Sequence, residues 1–387
     1  MKFFEEPYRL FFPLGVLMGL TGTGHWLLYG LGATGAYSSL FHGLLQTGLF
    51  MGFFATGFLM TAIPRFSATR PASPAECAAG VLAAAGAFAA LLAWRWILAE
   101  AFLALFMTLT LLFIVRRARA RPSHSTAVQP PVEFIWIPFA LLNAIAGYGL
   151  LIASQKEWLP VFFGPTGLRM ATQGFPLCLV LGVGSFLGAR LLGIQSAAGT
   201  GDPRRRFAAQ AAAAVLFTAS WFLETAIGDP VRAALATALL ASAGILTRFN
   251  AAGRSLFAAL LRASFFSVVL GLWAVSFLPA SRSVLLHLMF IGGFGLMTFS
   301  VATMVIFSHS GHGPRLSEGP AALKIVAAGI PLSLALRLSG LFVPEHYFAL
   351  MAAAGASWIL SSLAWLGVCA RYLWAGGPES FEHRHAC

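Results

Sequence analysis

Apolar residues in this chain come neither in strict alternation nor on one helical stripe. They come in long blocks broken by short polar punctuation. A block of ~20 residues is long enough to cross hydrocarbon as a helix, with every backbone hydrogen bond closed inside the segment. The blocks predict about twelve helices, over 10–32, 36–64, 75–93, 95–116, 132–153, 169–193, 206–227, 231–248, 255–278, 282–308, 320–341 and 346–373. Short connections, such as Gly32 to Tyr37 and Pro279 to Arg282, predict antiparallel neighbours. Ile63-Pro64-Arg65 and Gly228-Asp229-Pro230 read as breakers at junctions. The fold class is an all-α integral membrane protein, a bundle of about 12 transmembrane helices. It forms a single domain over 1–375, followed by a short polar cytoplasmic tail over 376–387. The longest polar loops, Arg116 to Pro131 and Gly193 to Arg206, leave no room for an extramembrane domain.

Composition agrees with the blocks. The chain is 58% hydrophobic and 10% charged, with a mean hydropathy of +0.81; a soluble domain carries about 25% charged residues. The net charge of +12 raises the question of nucleic acid, but no basic aromatic platform accompanies it. The charge is instead sorted by loop. One set holds Lys2, Arg9, Arg65, Arg70, the Arg116 to Arg121 group, Arg204 to Arg206, Arg248, Arg254, Arg315, Arg371 and Arg384. The alternate set holds Arg95, Lys156, Arg169, Arg232 and Arg282. The richer set is cytoplasmic by the positive-inside rule. Both termini are then cytoplasmic, as an even number of spans requires. Cys77, Cys178, Cys369 and Cys387 form no CxxC pair, which argues against a disulfide framework or a thiolate-held cluster. The first residues, with Glu5 and Glu6, lead into a full-length span and do not read as a cleavable signal.

Candidate chemistry rests with the histidines, because an ionisable side chain inside hydrocarbon is costly and usually functional. Given the orientation, the second and tenth helices both run from outside to inside. His42 and His287 then lie ~8–9 Å below the outer hydrocarbon surface. Two imidazoles at matched depth can hold one flat iron porphyrin between them through neutral Nε2 atoms. Gly43, Gly48, Gly52 and Gly57 on one helix and Gly292, Gly293 and Gly295 on the other either leave room for a macrocycle or allow tight helix packing. His25, beside Trp26 and Tyr29, is either a further cofactor contact or part of an interfacial aromatic belt. Arg282, ~7–8 Å of rise outward of His287, can meet carboxylates facing the outer surface or simply mark the boundary. His309 and His312 form an H-x-x-H pair at the inner end of the tenth helix. They suit a copper or zinc ion, or a helix cap. His124 reads as solvated, His346 as a surface residue, and His383, His385 and Cys387 as a frayed tail. Glu100, Glu224, Arg262 and Arg337 are the charges within spans. Snorkelling to the interface accounts for the arginines.

At this point the residues resemble the NnrS family, multi-spanning membrane proteins associated with haem, copper and bacterial tolerance of nitric oxide. The likeness is carried by His287 to Gly313, a Gly- and Thr-rich helix ending in Ser308-His309-Ser310-Gly311, and by His42 to Gly57-Phe58-Leu59-Met60-Thr61-Ala62-Ile63-Pro64. Many members show a His-x-His-Glu cluster at the start of the second helix. Here only His42 is kept, with Leu44 and Leu45 in the other two places. That puts a copper site relying on those ligands in doubt and leaves haem better supported. A fainter likeness links His42-Gly43 and His287 to the low-spin haem ligands of haem–copper oxidases and nitric oxide reductases. Leu285 stands where those enzymes place a further histidine, which argues against a binuclear reducing centre.

The resemblance implies a bacterial inner-membrane protein that binds b-type haem between His42 and His287, with copper as a second candidate. Its role would lie in the nitric oxide or nitrosative-stress response or in denitrification-linked metabolism. Its partners would be the bilayer, nitric oxide and a membrane electron donor. Whether it is an enzyme stays open. A transporter of a small solute or of a metal or haem compound, and an assembly protein without cofactor, are the rival readings.

Overall fold

The computed structural model describes residues 5–120, 130–194, 202–249 and 255–374. The tail over 376–387, with His383, His385 and Cys387, and the loop that holds His124 lie outside them. Twelve long helices run through the described residues: α1 (Tyr8–Gly30), α2 (Ser39–Ser67), α3 (Pro74–Leu92), α4 (Trp96–Arg119), α5 (Trp136–Gln155), α6 (Phe163–Leu191), α7 (Pro203–Ala219), α8 (Thr225–Ser242), α9 (Leu256–Phe277), α10 (Pro279–His309), α11 (Ala321–Ser339) and α12 (Tyr347–Trp374). No strand occurs among the described residues. Ten of the twelve are long and apolar enough to cross a membrane; α7 and α8 fall short.

Local sequence accounts for the ends. At the start of α2 the Ser38 hydroxyl accepts from Phe41 N–H at 3.1 Å. At the start of α3, Ser73 and Glu76 form a reciprocal capping box, and Arg117 at the end of α4 donates to the same Glu76 at 2.7 Å. Arg9, 4% exposed, donates to the Leu373 carbonyl. That bond ties the first helix to the last and brings both ends of the described chain to one end of the bundle. This is the termini end below, and its opposite is the far end.

Two junction expectations are corrected. Pro64 and Pro230 lie inside α2 and α8, so neither Ile63-Pro64-Arg65 nor Gly228-Asp229-Pro230 is a break. The break comes earlier, at Ser220–Phe222 and Leu223. The Ser220 hydroxyl donates to Phe217 O at 2.6 Å, and its carbonyl accepts from Arg232 at 2.7 Å. The carbonyl that would carry α7 onward is therefore taken by a side chain from α8. Glu224, expected within a span, is an exposed residue just before α8.

Three helices carry wide π turns: α2 over Leu44–Met51, α6 over Met170–Gly174 and Val180–Gly184, and α10 over Leu288–Gly295. Such turns shift the helix register and recur at functional sites. Side-chain hydroxyls help free the backbone here. Thr47 Oγ1 donates to Gly43 O and Thr172 Oγ1 to Leu168 O, both at 2.7 Å.

Candidate functional site

His42 and His287 stand in equivalent places, each just before the π stretch of its helix and each near the far end. Both are half-buried. His42 Nδ1–H donates to Gly22 O of α1 at 2.9 Å, and His287 Nδ1–H donates to Ser283 O one turn earlier at 2.8 Å. A carbonyl can only accept, so the proton of each neutral ring is fixed on Nδ1 and the lone pair is left on Nε2. This is the tautomer that a metal-binding imidazole needs, held by the kind of carbonyl contact that orients ligating histidines. One turn on, Gln46 Nε2 donates to Gly19 O and Thr23 Oγ1 at 2.8 and 2.7 Å, locking α2 against α1 beside His42.

His42 and His287 lie within electrostatic reach of each other and of Arg337. Arg337 is 7% exposed, donates to Tyr347 Oη at 2.9 Å and stacks on that ring. It is not snorkelling, as a reading from position alone expects. Its place in the last turn of α11 hid the fact that the side chain turns inward.

Helices α2 and α10 meet nearer the termini end. Phe299 lies 5.8 Å from Phe50 and 6.1 Å from Phe54, ring centre to ring centre. Beside this contact a cavity of about 150 Å³ opens between α2, α6, α9 and α10, walled by Phe54, Phe58, Phe175, Leu187 and Phe294, with Thr298 its one polar lining residue.

The glycines divide between the two roles open to them. A Cβ on Gly52 would lie 2.8 Å from Met107, on Gly57 2.7 Å from Phe11, and on Gly293 2.6 Å from Val268. These serve close packing. Gly43, beside His42, has only Thr172 Cγ2 at 3.9 Å and borders free space.

The remaining candidates have other occupations. His25 Nε2 accepts Ser38 N–H at 2.7 Å and so supports the start of α2. Arg282 donates to both oxygens of Asp229. His309 is used on both sides, Nδ1 to Glu6 Oε1 and Nε2 to Arg65, each at 2.8 Å. His312 Nδ1 donates to Ser310 O at 2.8 Å, and its ring packs on Tyr372. Among the described residues no group of three or more His, Cys, Asp or Glu side chains is gathered as a metal site.

At the termini end Glu6 collects Arg9, Arg65 and His309. Burial by itself pushes the Glu6 carboxyl up; the hydrogen bonds from His309 and Arg9 outweigh it and hold the group down at about 2.

The family model described as NnrS protein matches residues 2–376, nearly the whole chain. The chain belongs to the NnrS family. No curated protein matches it. Against this background the far-end arrangement can be tested for a macrocycle. A bis-imidazole site needs two neutral rings with open Nε2 atoms, apolar walls and a nearby cation for the carboxylates. His42 and His287 supply the rings and Arg337 the cation, so the donor set fits; the apolar cavity of Phe54, Phe58 and Phe294 lies deeper between the same two helices and does not include them. An NnrS copper site of the kind that needs a second His and a Glu at the start of α2 finds Leu44 and Leu45 there, both fully buried.

Proposed function

We propose that this NnrS protein binds b-type haem between α2 and α10, with His42 and His287 as axial ligands, and acts in the nitric oxide or nitrosative-stress response. The observation that carries the reading is the pair of Nδ1–carbonyl bonds, which leaves a neutral Nε2 lone pair on each of two rings that lie within electrostatic reach of each other. A bound haem supplies a redox-active iron. Held by two histidines, it would supply chemistry suited to electron transfer or redox sensing. The Gly22 carbonyl keeps the His42 ring oriented, and Gln46 holds α2 against α1 one turn on. Arg337, within electrostatic reach of both rings, supplies a charge suited to a haem carboxylate.

The membrane is the bacterial inner membrane, with the termini end in the cytoplasm, as the sorting of Lys and Arg supports. The partners are nitric oxide and a membrane electron donor. Copper takes second place, since His309 has both ring nitrogens engaged, Nδ1 with Glu6 and Nε2 with Arg65, which leaves His312 without a partner ligand in the H-x-x-H pair. The test is the absorption spectrum and metal content of the purified protein. A Soret band with low-spin features and one iron per chain is expected; a colourless protein without iron overturns the reading.

A further inference from the structure

A second concentration of charge lies at the same end of the bundle, where α6, α8 and α10 each bring an arginine together. Asp229, 4% exposed, accepts from Arg232 and from Arg282. Arg232, 1% exposed, also donates to Ser220 O at 2.7 Å and Ser220 Oγ at 3.2 Å, and its guanidinium carbon lies 3.9 Å from the Trp221 ring centre. Arg169 lies within electrostatic reach of Asp229 and Arg282 and donates to Thr166 Oγ1 at 3.1 Å.

The charges do not balance. Three guanidinium groups share one carboxylate, and both oxygens of that carboxylate are already claimed by Arg232 and Arg282. Buried cations without a counter-charge are expensive at bilayer depth. The hydrogen bonds are also incomplete: the Nε–H groups of Arg169 and Arg232 are buried and meet no acceptor, although nearly all buried donors in folded proteins do. Two planar forks with spare donors and surplus positive charge call for a planar oxyanion. Arg282, 23% exposed, and the half-buried Arg169 leave an approach from the far face.

We propose that Arg169, Arg232 and Arg282 form a binding site for a small carboxylate or planar oxyanion, with Asp229 as the internal strut that spaces the guanidinium groups. Two sources share this chemistry: a dissolved anion, and a carboxylate carried by the macrocycle proposed next to His287, five residues beyond Arg282 on α10. The proposal does not depend on haem, since the cluster is charged and unsatisfied with or without it.

The test is a titration of the purified full chain in detergent with sodium formate. Ionic strength is fixed with chloride, and binding is followed by calorimetry and by the fluorescence difference between wild type and Trp221→Phe. Saturable formate binding is expected. Arg169→Gln should weaken it by about tenfold or more, the worth of a hydrogen bond to a charged group, and Arg169→Lys should weaken it less. Arg95→Gln, an exposed arginine outside the cluster, should leave it unchanged. Binding to both haem-free and haem-loaded protein assigns a dissolved anion; binding only to the haem-free form assigns the macrocycle's own carboxylate. Absence of saturable binding to haem-free wild type overturns the site, as does equal affinity in correctly folded Arg169→Gln or Arg169→Lys. A missing Soret band with formate binding intact rejects the haem reading alone.

Discussion

His287 and His309 stand near the two ends of one helix and use the same ring in opposite ways. His309 spends both nitrogens on protein groups, Glu6 and Arg65, inside a network that joins α1, α2, α10 and α12. His287 spends one nitrogen on a carbonyl of its own helix and leaves the other free. His42 repeats the pattern of His287 on α2, with the carbonyl supplied by α1. What separates the structural His309 from the proposed ligands His42 and His287 is the fate of Nε2. Residue type, depth and neighbouring glycine do not decide it.

The comparison breaks most sharply at the ligands. His42→Ala and His287→Ala should each abolish the low-spin spectrum, leaving high-spin haem or none, whereas His309→Ala should keep the Soret band and its position. Absorption and resonance Raman spectra of the three variants check this. A low-spin bis-histidine spectrum in both far-end variants would sink the ligand assignment.

Next in size is the termini-end network. Glu6→Gln leaves Arg9 and Arg65 short of their carboxylate and should cost about 2–3 kcal/mol of stability, without shifting the haem band. The sign of the pH effect follows from the lowered pKa. Glu6 contributes fully above its ordinary 4.5, and the contribution disappears as pH falls toward about 2. Thermal unfolding in detergent should therefore show wild type losing its advantage over Glu6→Gln across that window. Parallel melting curves at pH 6 and pH 2.5 would refute the network's role.

The glycines sharpen the contrast. Gly293→Ala drives a Cβ to 2.6 Å from Val268 and should destabilise the α9–α10 contact by about 1–3 kcal/mol. Gly43→Leu meets open space, so it should fold normally and bind haem poorly. Thermal stability and haem content of the pair should change in opposite order. Normal haem content in Gly43→Leu would mean that the space beside His42 is not used.

The smallest effect belongs to His25. His25→Ala removes one acceptor from the start of α2 and should cost about 1 kcal/mol, with the spectrum unchanged. A spectral change of the size seen in His42→Ala would move His25 into the ligand set.

The sequence by itself determined the fold class. Blocks of apolar residues of bilayer length admit only helices, and the helix positions follow from where the blocks end. It also singled out His42 and His287, because helix rise converts residue number into depth without any knowledge of packing. Tertiary structure alone decided the rest. The break between α7 and α8 depends on Arg232 capturing the Ser220 carbonyl across the turn. No local rule on Gly-Asp-Pro foretells that bond. Arg337 and His309 look alike from sequence, each a basic residue near a helix end. Only the packing of α11 on α12 turns Arg337 onto Tyr347, and only the meeting of α1 with α10 gives His309 its carboxylate. Arg282 likewise points at Asp229 because α8 and α10 lie together at that end of the bundle. The pattern along a membrane chain reports depth. Which neighbour a polar atom meets at that depth is a property of helix arrangement and rotation, and a uniformly apolar span holds almost no record of either.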